Sequence, residues 1–191
     1  CSRGDDTGVV GLDSITEKDI TLAIALALQK ELAKDGDVEV VLTRLADKSV
    51  SLDERRKNII SKNPSLVLSL HVNAGFGKTS SGYELYYPGF KKAERFAPVS
   101  KKDKDDVLKN KNINETVKLA RLLQRNLDVL FPRKNRGLRE AGVPLAEGLS
   151  MPVVIVEMGF VTNPDDKKKL TSSKTQADIA RALAKSVKEF F

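Results

Sequence analysis

Short apolar runs rich in β-branched residues alternate along this chain with longer segments in which apolar residues recur every three or four positions. The clearest runs are Leu66–Leu70 and Val153–Val156, and residues 16–32 show the longer period. The first pattern is typical of buried strands and the second of amphipathic helices. Their alternation predicts an α/β protein, with a mostly parallel, twisted sheet flanked by helices on both faces.

The same patterns predict two further strands and one long helix. The strands are residues 38–42 and 82–87, and the helix is residues 114–131, with leucines along one face. Between them, residues 88–114 are charged and poorly periodic, so we expect a surface insertion there. No repeat or linker divides the chain, and residues 1–191 are expected to form one domain.

Capping signals mark where other helices begin. A Ser or Thr followed three residues later by an acidic or amide side chain is typical of a capping box. The pattern occurs at three positions, namely Thr16, Ser51 and Ser173. The helix after Ser51 is expected to run to about residue 62 and to turn three apolar side chains inward: Leu52, Ile59 and Ile60.

The charge of the chain favours acidic partners. A formal charge of +7 and a pI of about 9.4 suit an anionic cell wall, a membrane surface or a nucleic acid. Basic residues are dispersed among acids, Trp is absent and only 5% of residues are aromatic, so nucleic-acid binding is not expected. No apolar run approaches the roughly 20 residues that cross a bilayer. We expect a monomer without a transmembrane segment.

Two chemically capable side chains follow the two clearest strand runs. His71, the single histidine, comes after the first run, and Glu157 comes after the second. Ligands of open α/β sheets bind outside the carboxyl ends of the strands, so the two residues are expected to share a cleft. Each also has a structural explanation: His71 as an ordinary core residue, and Glu157 as an exposed or Arg-paired carboxylate. Glu17 is explained equally well as an acid that favours a helix amino end.

Seven short stretches, taken in order, carry a family resemblance. They are residues 7–11, residues 17–20, residues 42–44 with Asp47, residues 52–55, residues 69–74, residues 82–87, and residues 151–160 with Asn163. Together they resemble the zinc-dependent N-acetylmuramoyl-L-alanine amidases of bacterial cell-wall turnover. The match covers nearly everything outside residues 88–114.

The resemblance implies specific roles and partners. Glu17 and His71 match zinc ligands, and Glu157 matches the catalytic glutamate, which is not a ligand. Asn73 is expected to orient the loop after His71 or to touch substrate. The family cleaves the amide between N-acetylmuramic acid and the L-alanine of the stem peptide. Peptidoglycan, Zn²⁺ and a protein activator or regulator are therefore expected partners, in the periplasm or cell wall, after export by a signal not present in this chain.

The chain departs from the family at its first residues. The family has another zinc histidine in a Gly-His-Gly-Gly turn after a first strand, whereas this chain starts with residues 1–4 at or just past that turn. We expect that strand and histidine to lie upstream. Otherwise Ser2 stands at the histidine position, and only Cys1 or Asp5 could supply a third ligand. The alternatives are a metal-depleted domain that binds peptidoglycan or regulates a hydrolase, and an unrelated α/β domain that binds an anion.

Overall fold

The computed structural model describes residues 16–47, 50–89 and 102–191. Within these ranges the chain forms helices and strands around one sheet. In chain order they are α1 (Glu17–Leu32), α2 (Leu52–Lys62), β1 (Val67–Asn73), β2 (Tyr83–Pro88), α3 (Lys102–Leu130), β3 (Asn135–Ala141), β4 (Val153–Phe160), α4 (Pro164–Leu170) and α5 (Ser173–Phe190).

The described strands form one sheet in the order β1-β4-β2-β3. β1 pairs with β4 and β2 pairs with β3 in parallel, whereas β2 and β4 run antiparallel. Two of these three pairings are parallel, so the predicted single-domain α/β fold with a mostly parallel sheet is confirmed.

The main core lies on one face of the sheet. Val154, Val156 and Met158 of β4 belong to this core, where α5 packs against both α1 and α3. The apolar side chains predicted to be buried on α5 are buried, namely Ile179, Leu183, Val187 and Phe190. All four residues of Val153–Val156 are buried, so both faces of β4 are covered. α2 packs separately, against a 3₁₀ turn at Pro144–Ala146.

The strand predicted at residues 38–42 is wrong, because these residues have no strand conformation. A β-strand is defined by hydrogen bonds to a neighbouring strand, and no strand in the described ranges pairs with this segment. The backbone carbonyl of Val40 instead accepts a hydrogen bond from the side chain of Gln29, 3.0 Å away. Val38 and Val40 still pack against the core, which explains their apolar character.

Helix starts follow the sequence closely, with local differences. Ser51 and Glu54 form the predicted capping box. Thr16 precedes α1, but its hydroxyl bonds to the Asp19 carboxylate and does not cap the backbone. The last helix is capped by Ser172, one residue before the predicted position.

One predicted inward side chain of α2 faces solvent. Ile60 is 55% exposed, whereas Ile59 and Arg55 are buried. Residues four apart share a helix face, so the buried stripe of α2 includes the arginine and leaves Ile60 outside it.

The predicted surface insertion at residues 88–114 is largely helical where the structure describes it. α3 begins at Lys102, twelve residues before the predicted helix start. Lysine has a high helix propensity even where apolar periodicity is weak, so a charged segment can extend a helix. Residues 90–101 lie outside the described part of the chain.

None of the helices in the described ranges is both long enough and apolar enough to span a bilayer.

Candidate active site

His71 and Glu157 lie side by side on neighbouring parallel strands. His71 of β1 is the register partner of Glu157 of β4. The strands continue past both residues, to Asn73 and Phe160, so the two side chains lie within the strands and not at their ends. Val72 continues the buried alternation of β1 into the core, which extends the strand beyond the predicted end. The predicted pairing of the two residues is present.

Glu17 reaches the same place from the first turn of α1. Its Oε1 lies 2.9 Å from Nδ1 of His71 and accepts a weak hydrogen bond from the backbone N–H of Val72, at 3.4 Å. Glu17 is only 6% exposed. A favourable interaction with the helix dipole explains an acid at this helix position but not its burial against His71.

The loop after residue 42 fixes the amino end of α1. Arg44 donates from Nη2 to the backbone carbonyl of Lys18, at 2.5 Å, and the Lys18 ammonium lies 2.5 Å from Oδ2 of Asp47. Arg55 of α2 donates to the hydroxyl of Thr43, at 2.8 Å. These contacts give a structural reason for two of the stretches that carry the family resemblance, because they position the helix that bears Glu17.

Ser69 lies beside the second ring nitrogen of His71, Nε2. It lies two residues earlier in β1, so the two side chains share a face of the sheet. Its Oγ is 3.0 Å from Nε2, while Nδ1 faces Glu17. Both ring nitrogens therefore have polar neighbours, which fixes the orientation of the imidazole. The sequence reasoning missed Ser69, although the two-residue period of the strand would have found it.

Glu157 has one buried oxygen, Oε2, with no hydrogen-bond partner among the described residues. Burial raises the pKa of the Glu157 carboxyl to about 7, the charge of His71 opposes this rise, and the charges of Glu17 and Glu84 add to it. Leaving a buried carboxylate unpaired is costly. A group with such a pKa can exchange a proton near neutral pH.

Glu84 is a second buried carboxylate beside Glu157, and the sequence reasoning missed it. It is the register partner of Glu157 across the antiparallel pairing of β2 and β4. Its oxygens accept hydrogen bonds from Nε of Arg136 and from the hydroxyl of Tyr86, both at 2.8 Å. Burial favours a raised pKa for Glu84, but these hydrogen bonds and the charges of Arg136 and Arg139 hold its pKa below the ordinary value.

An irregularity near the end of β4 changes which side chains face the site. His71 pairs with Glu157, but Asn73 pairs with Phe160, so β4 carries one extra residue between the two pairs. Gly159 lies within this irregularity and has φ 152°, a conformation that other residues rarely adopt. Phe160 is buried outside the main core as a result.

Asp166 of α4 ties the end of β4 to the start of β2. Its Oδ2 accepts hydrogen bonds from the backbone N–H groups of Phe160, at 3.1 Å, and Gly82, at 2.8 Å. Its Oδ1 accepts one from the hydroxyl of Ser81, at 2.9 Å. Asn163 caps α4 and also donates to the backbone carbonyl of Lys78, at 2.8 Å. These bonds hold the strands and the loop that border the site.

Asn73 shapes the loop that follows His71. Its Oδ1 accepts a hydrogen bond from the N–H of Ala74, at 2.8 Å, and its backbone carbonyl accepts one from Val161, at 3.0 Å. These bonds fit the first of the two expected roles, orientation of the loop. Contact with substrate stays a prediction.

The donors at Glu17 and His71 fit part of a zinc site. Carboxylate oxygen and imidazole nitrogen are common zinc ligands, and two ligand atoms of a tetrahedral zinc lie roughly 3.3 Å apart. The observed 2.9 Å between Oε1 and Nδ1 is close to that spacing. Ser69 matches the hydrogen-bond partner that zinc-bound histidines use at their other nitrogen. The described residues contain no group of three or more potential ligands, and Cys1 and Asp5 lie outside them.

Comparisons with known proteins identify the family of this chain. A family model described as N-acetylmuramoyl-L-alanine amidase matches residues 3–189. The amidase CwlM of Bacillus licheniformis is 31% identical over 98% of this chain, which spans 65% of the length of CwlM. The crystal structure of an N-acetylmuramoyl-L-alanine amidase from Clostridium difficile 630 superposes with a TM-score of 0.82 at 26% identity, covering 99% of this chain and 91% of that one.

A further solved structure shows a relative with a partner. The CwlD amidase of Clostridioides difficile, in complex with the GerS lipoprotein, has a TM-score of 0.78 and 26% identity, covering 97% of this chain and 91% of that chain. The match over nearly the whole chain removes the interpretation as an unrelated α/β domain. The chain belongs to the N-acetylmuramoyl-L-alanine amidase family.

Proposed function

We propose that this chain is the catalytic domain of a zinc-dependent peptidoglycan amidase. The bond that it hydrolyses is the amide between the lactyl group of N-acetylmuramic acid and the first L-alanine of the stem peptide. One observation carries the proposal: the unpartnered buried oxygen of Glu157 lies beside a histidine whose Nδ1 is already adjacent to the carboxylate of Glu17. Family membership supports it.

Glu17 and His71 hold the metal in this proposal, through Oε1 and Nδ1. Ser69 accepts the hydrogen bond from Nε2–H and keeps the imidazole in the tautomer whose Nδ1 carries the lone pair that a metal ligand needs. A zinc ion bound there supplies a water whose pKa is about 7 and a positive charge beside the developing oxyanion.

Glu157 acts as the general base and then as the general acid. Its carboxylate accepts a proton from water while the water oxygen adds to the amide carbonyl carbon. The same proton passes to the amide nitrogen as the C–N bond breaks. The products are the lactyl carboxylate of the sugar and a peptide with a free L-alanine amino group. Water is the nucleophile, so no serine or cysteine nucleophile is needed. The single histidine is a metal ligand in this proposal and does not serve to activate a serine.

The substrate also sets the expected location and partners. Peptidoglycan lies outside the cytoplasm, so the proposal includes action in the periplasm or cell wall. The formal charge of +7 favours approach to an anionic wall. The complex of CwlD with the GerS lipoprotein supports a protein regulator as a further partner.

Digestion of purified cell wall tests this proposal. Zinc-loaded protein is expected to release new L-alanine amino termini, and a chelator is expected to stop the release. Glu157→Gln is expected to slow it by about 10²- to 10⁴-fold, the usual contribution of a general acid–base group. Glu39→Gln changes an exposed glutamate and serves as the matched control. Release by the Glu157 variant at the wild-type rate would contradict the assigned role.

A second candidate is a metal-depleted domain that binds peptidoglycan or regulates a hydrolase. The observation that favours it is the absence of a third potential ligand near Glu17 and His71 in the described ranges. Elemental analysis separates the two candidates. Protein that binds wall, takes up no zinc and releases no termini fits the second candidate.

A further inference from the structure

Arg136 is held rigidly while its terminal nitrogens stay available. Its Nε donates to the buried carboxylate of Glu84, at 2.8 Å, and its guanidinium carbon lies 5.0 Å from the centre of the Phe160 ring. These two contacts hold the guanidinium in place between Glu84 and Phe160. The side chain is nevertheless 37% exposed. Neither η nitrogen donates a hydrogen bond to any residue that the structure describes.

Both residues that hold Arg136 border the proposed general base. Glu84 is the register partner of Glu157 on β2, and Phe160 follows Glu157 by three residues on β4. Arg136 is therefore separated from Glu157 by one side chain, that of Glu84, and does not lie on a remote surface.

Glu84 does not use the whole hydrogen-bonding capacity of Arg136. Two arginines, Arg136 and Arg139, surround the single carboxylate of Glu84, and the second arginine lies 3.6 Å from it. The hydroxyl of Tyr86 already supplies a further hydrogen bond to that carboxylate. Glu84 therefore engages only Nε of Arg136, and the η nitrogens of Arg136 remain available for an anion. A guanidinium that is held at Nε and has two available η nitrogens matches the bidentate geometry of a carboxylate.

We infer that Arg136 binds a carboxylate of the stem peptide, on the leaving-group side of the scissile amide. This inference rests on the proposed function and adds to it the substrate class, a peptide with a free acidic group close to the L-alanine. The sugars offer neutral hydroxyl and acetamido groups, and the lactyl carboxyl is consumed in the amide. The anionic groups of this substrate are therefore on the peptide. Replacing such a carboxylate by a carboxamide removes the charge and one of the two acceptors.

Binding of two synthetic peptides to the metal-free protein tests the inference by NMR titration. One is L-alanyl-γ-D-glutamate with its γ-carboxyl blocked as a methylamide and its α-carboxylate free. The other has a carboxamide in place of that α-carboxylate. The wild type is expected to bind the acid about tenfold more tightly, as for a charge-assisted hydrogen-bonded pair.

Three variants identify the residue responsible for this preference. Arg136→Gln is expected to bind both peptides equally, and Arg136→Lys to keep a part of the preference, because it keeps the charge without the planar fork. Arg181→Gln, on α5, removes an equal charge elsewhere and is expected to keep the full preference. The readout is a ratio within each variant, so partial unfolding does not imitate the effect.

Two results would overturn the inference: equal binding of the two peptides by the wild type, or a preference that survives in Arg136→Gln. The titration needs neither zinc nor turnover, so its outcome is independent of the wall digestion. A wild type that cleaves wall but binds both peptides equally refutes the role of Arg136 and leaves the amidase proposal standing.

Discussion

Glu157 should make the metal-free protein less stable as the pH rises. Burial raises the pKa of its carboxyl from the ordinary 4.5 to about 7. Between these two values the folded state keeps a proton that the unfolded state has released. Because the folded state binds more protons, the free energy of unfolding decreases with rising pH across this window. The difference between the two pKa values corresponds to at most about 3 kcal/mol, which is fully lost by about pH 8.

Glu157→Gln isolates this contribution, because glutamine has nearly the same size and stays neutral at every pH. At pH 8 the free energy of unfolding of the metal-free variant is expected to exceed that of the wild type by up to about 3 kcal/mol. This difference corresponds to a melting temperature about 6–12 °C higher. At pH 4.5 the two proteins are expected to be nearly equal. Urea denaturation followed by circular dichroism in the presence of a chelator measures both, with Glu39→Gln as the exposed control.

A difference between variant and wild type that stays constant from pH 4.5 to pH 8 would refute the reasoning, since it would mean that the carboxylate is not desolvated. The expected result has a functional counterpart. The variant should gain stability and lose wall digestion together, which is the trade-off expected where an active group is held in an unfavourable environment.

Two further predictions concern the groups that support the site. Asp166→Ala removes the acceptor of the buried N–H groups of Phe160 and Gly82. We expect urea denaturation to show a free energy of unfolding about 2–4 kcal/mol lower, with a smaller decrease for Asp166→Asn. Wild-type stability in the alanine variant would contradict this. Ser69→Ala removes the polar neighbour of Nε2 of His71. We expect zinc binding to weaken by about 10- to 100-fold, measured by competition titration with a chromophoric chelator. Unchanged affinity would exclude this supporting role of Ser69.

The pairing of His71 with Glu157 could be predicted from the sequence because it needs little information. Each residue follows a strongly apolar run, and parallel neighbours bring equivalent ends of such runs to one edge. The exact ends of the two strands were harder to predict from the sequence. The residues after each apolar run, such as Val72 and Met158, continue the alternation of side chains between the two faces of the sheet beyond the most apolar part of the run. Glu17 was reached only through the resemblance, because an acid in a first helical turn has an ordinary explanation.

The neighbours of Glu157 on its other side could not be predicted in the same way. Glu84 and Arg136 belong to β2 and β3, which lie beside β4 in an order that differs from the order along the chain. The antiparallel direction of β2 also brings the start of that strand to the carboxyl end of β4. Local periodicity identifies strands but not their neighbours, so this half of the site depends on topology.

The two carboxylates that face each other across β2 and β4 are adjacent, yet their surroundings separate their chemistry. Glu84 receives hydrogen bonds from Arg136 and Tyr86, so it stays ionised although it is buried. Glu157 is half-buried, its buried oxygen Oε2 has no hydrogen-bond partner among the described residues, and the negative charge of Glu84 further raises its pKa. Environments that push two neighbouring pKa values apart give the two groups different roles. Proton exchange near neutral pH is therefore assigned to Glu157, while Glu84 keeps its charge and orients the arginine beside it.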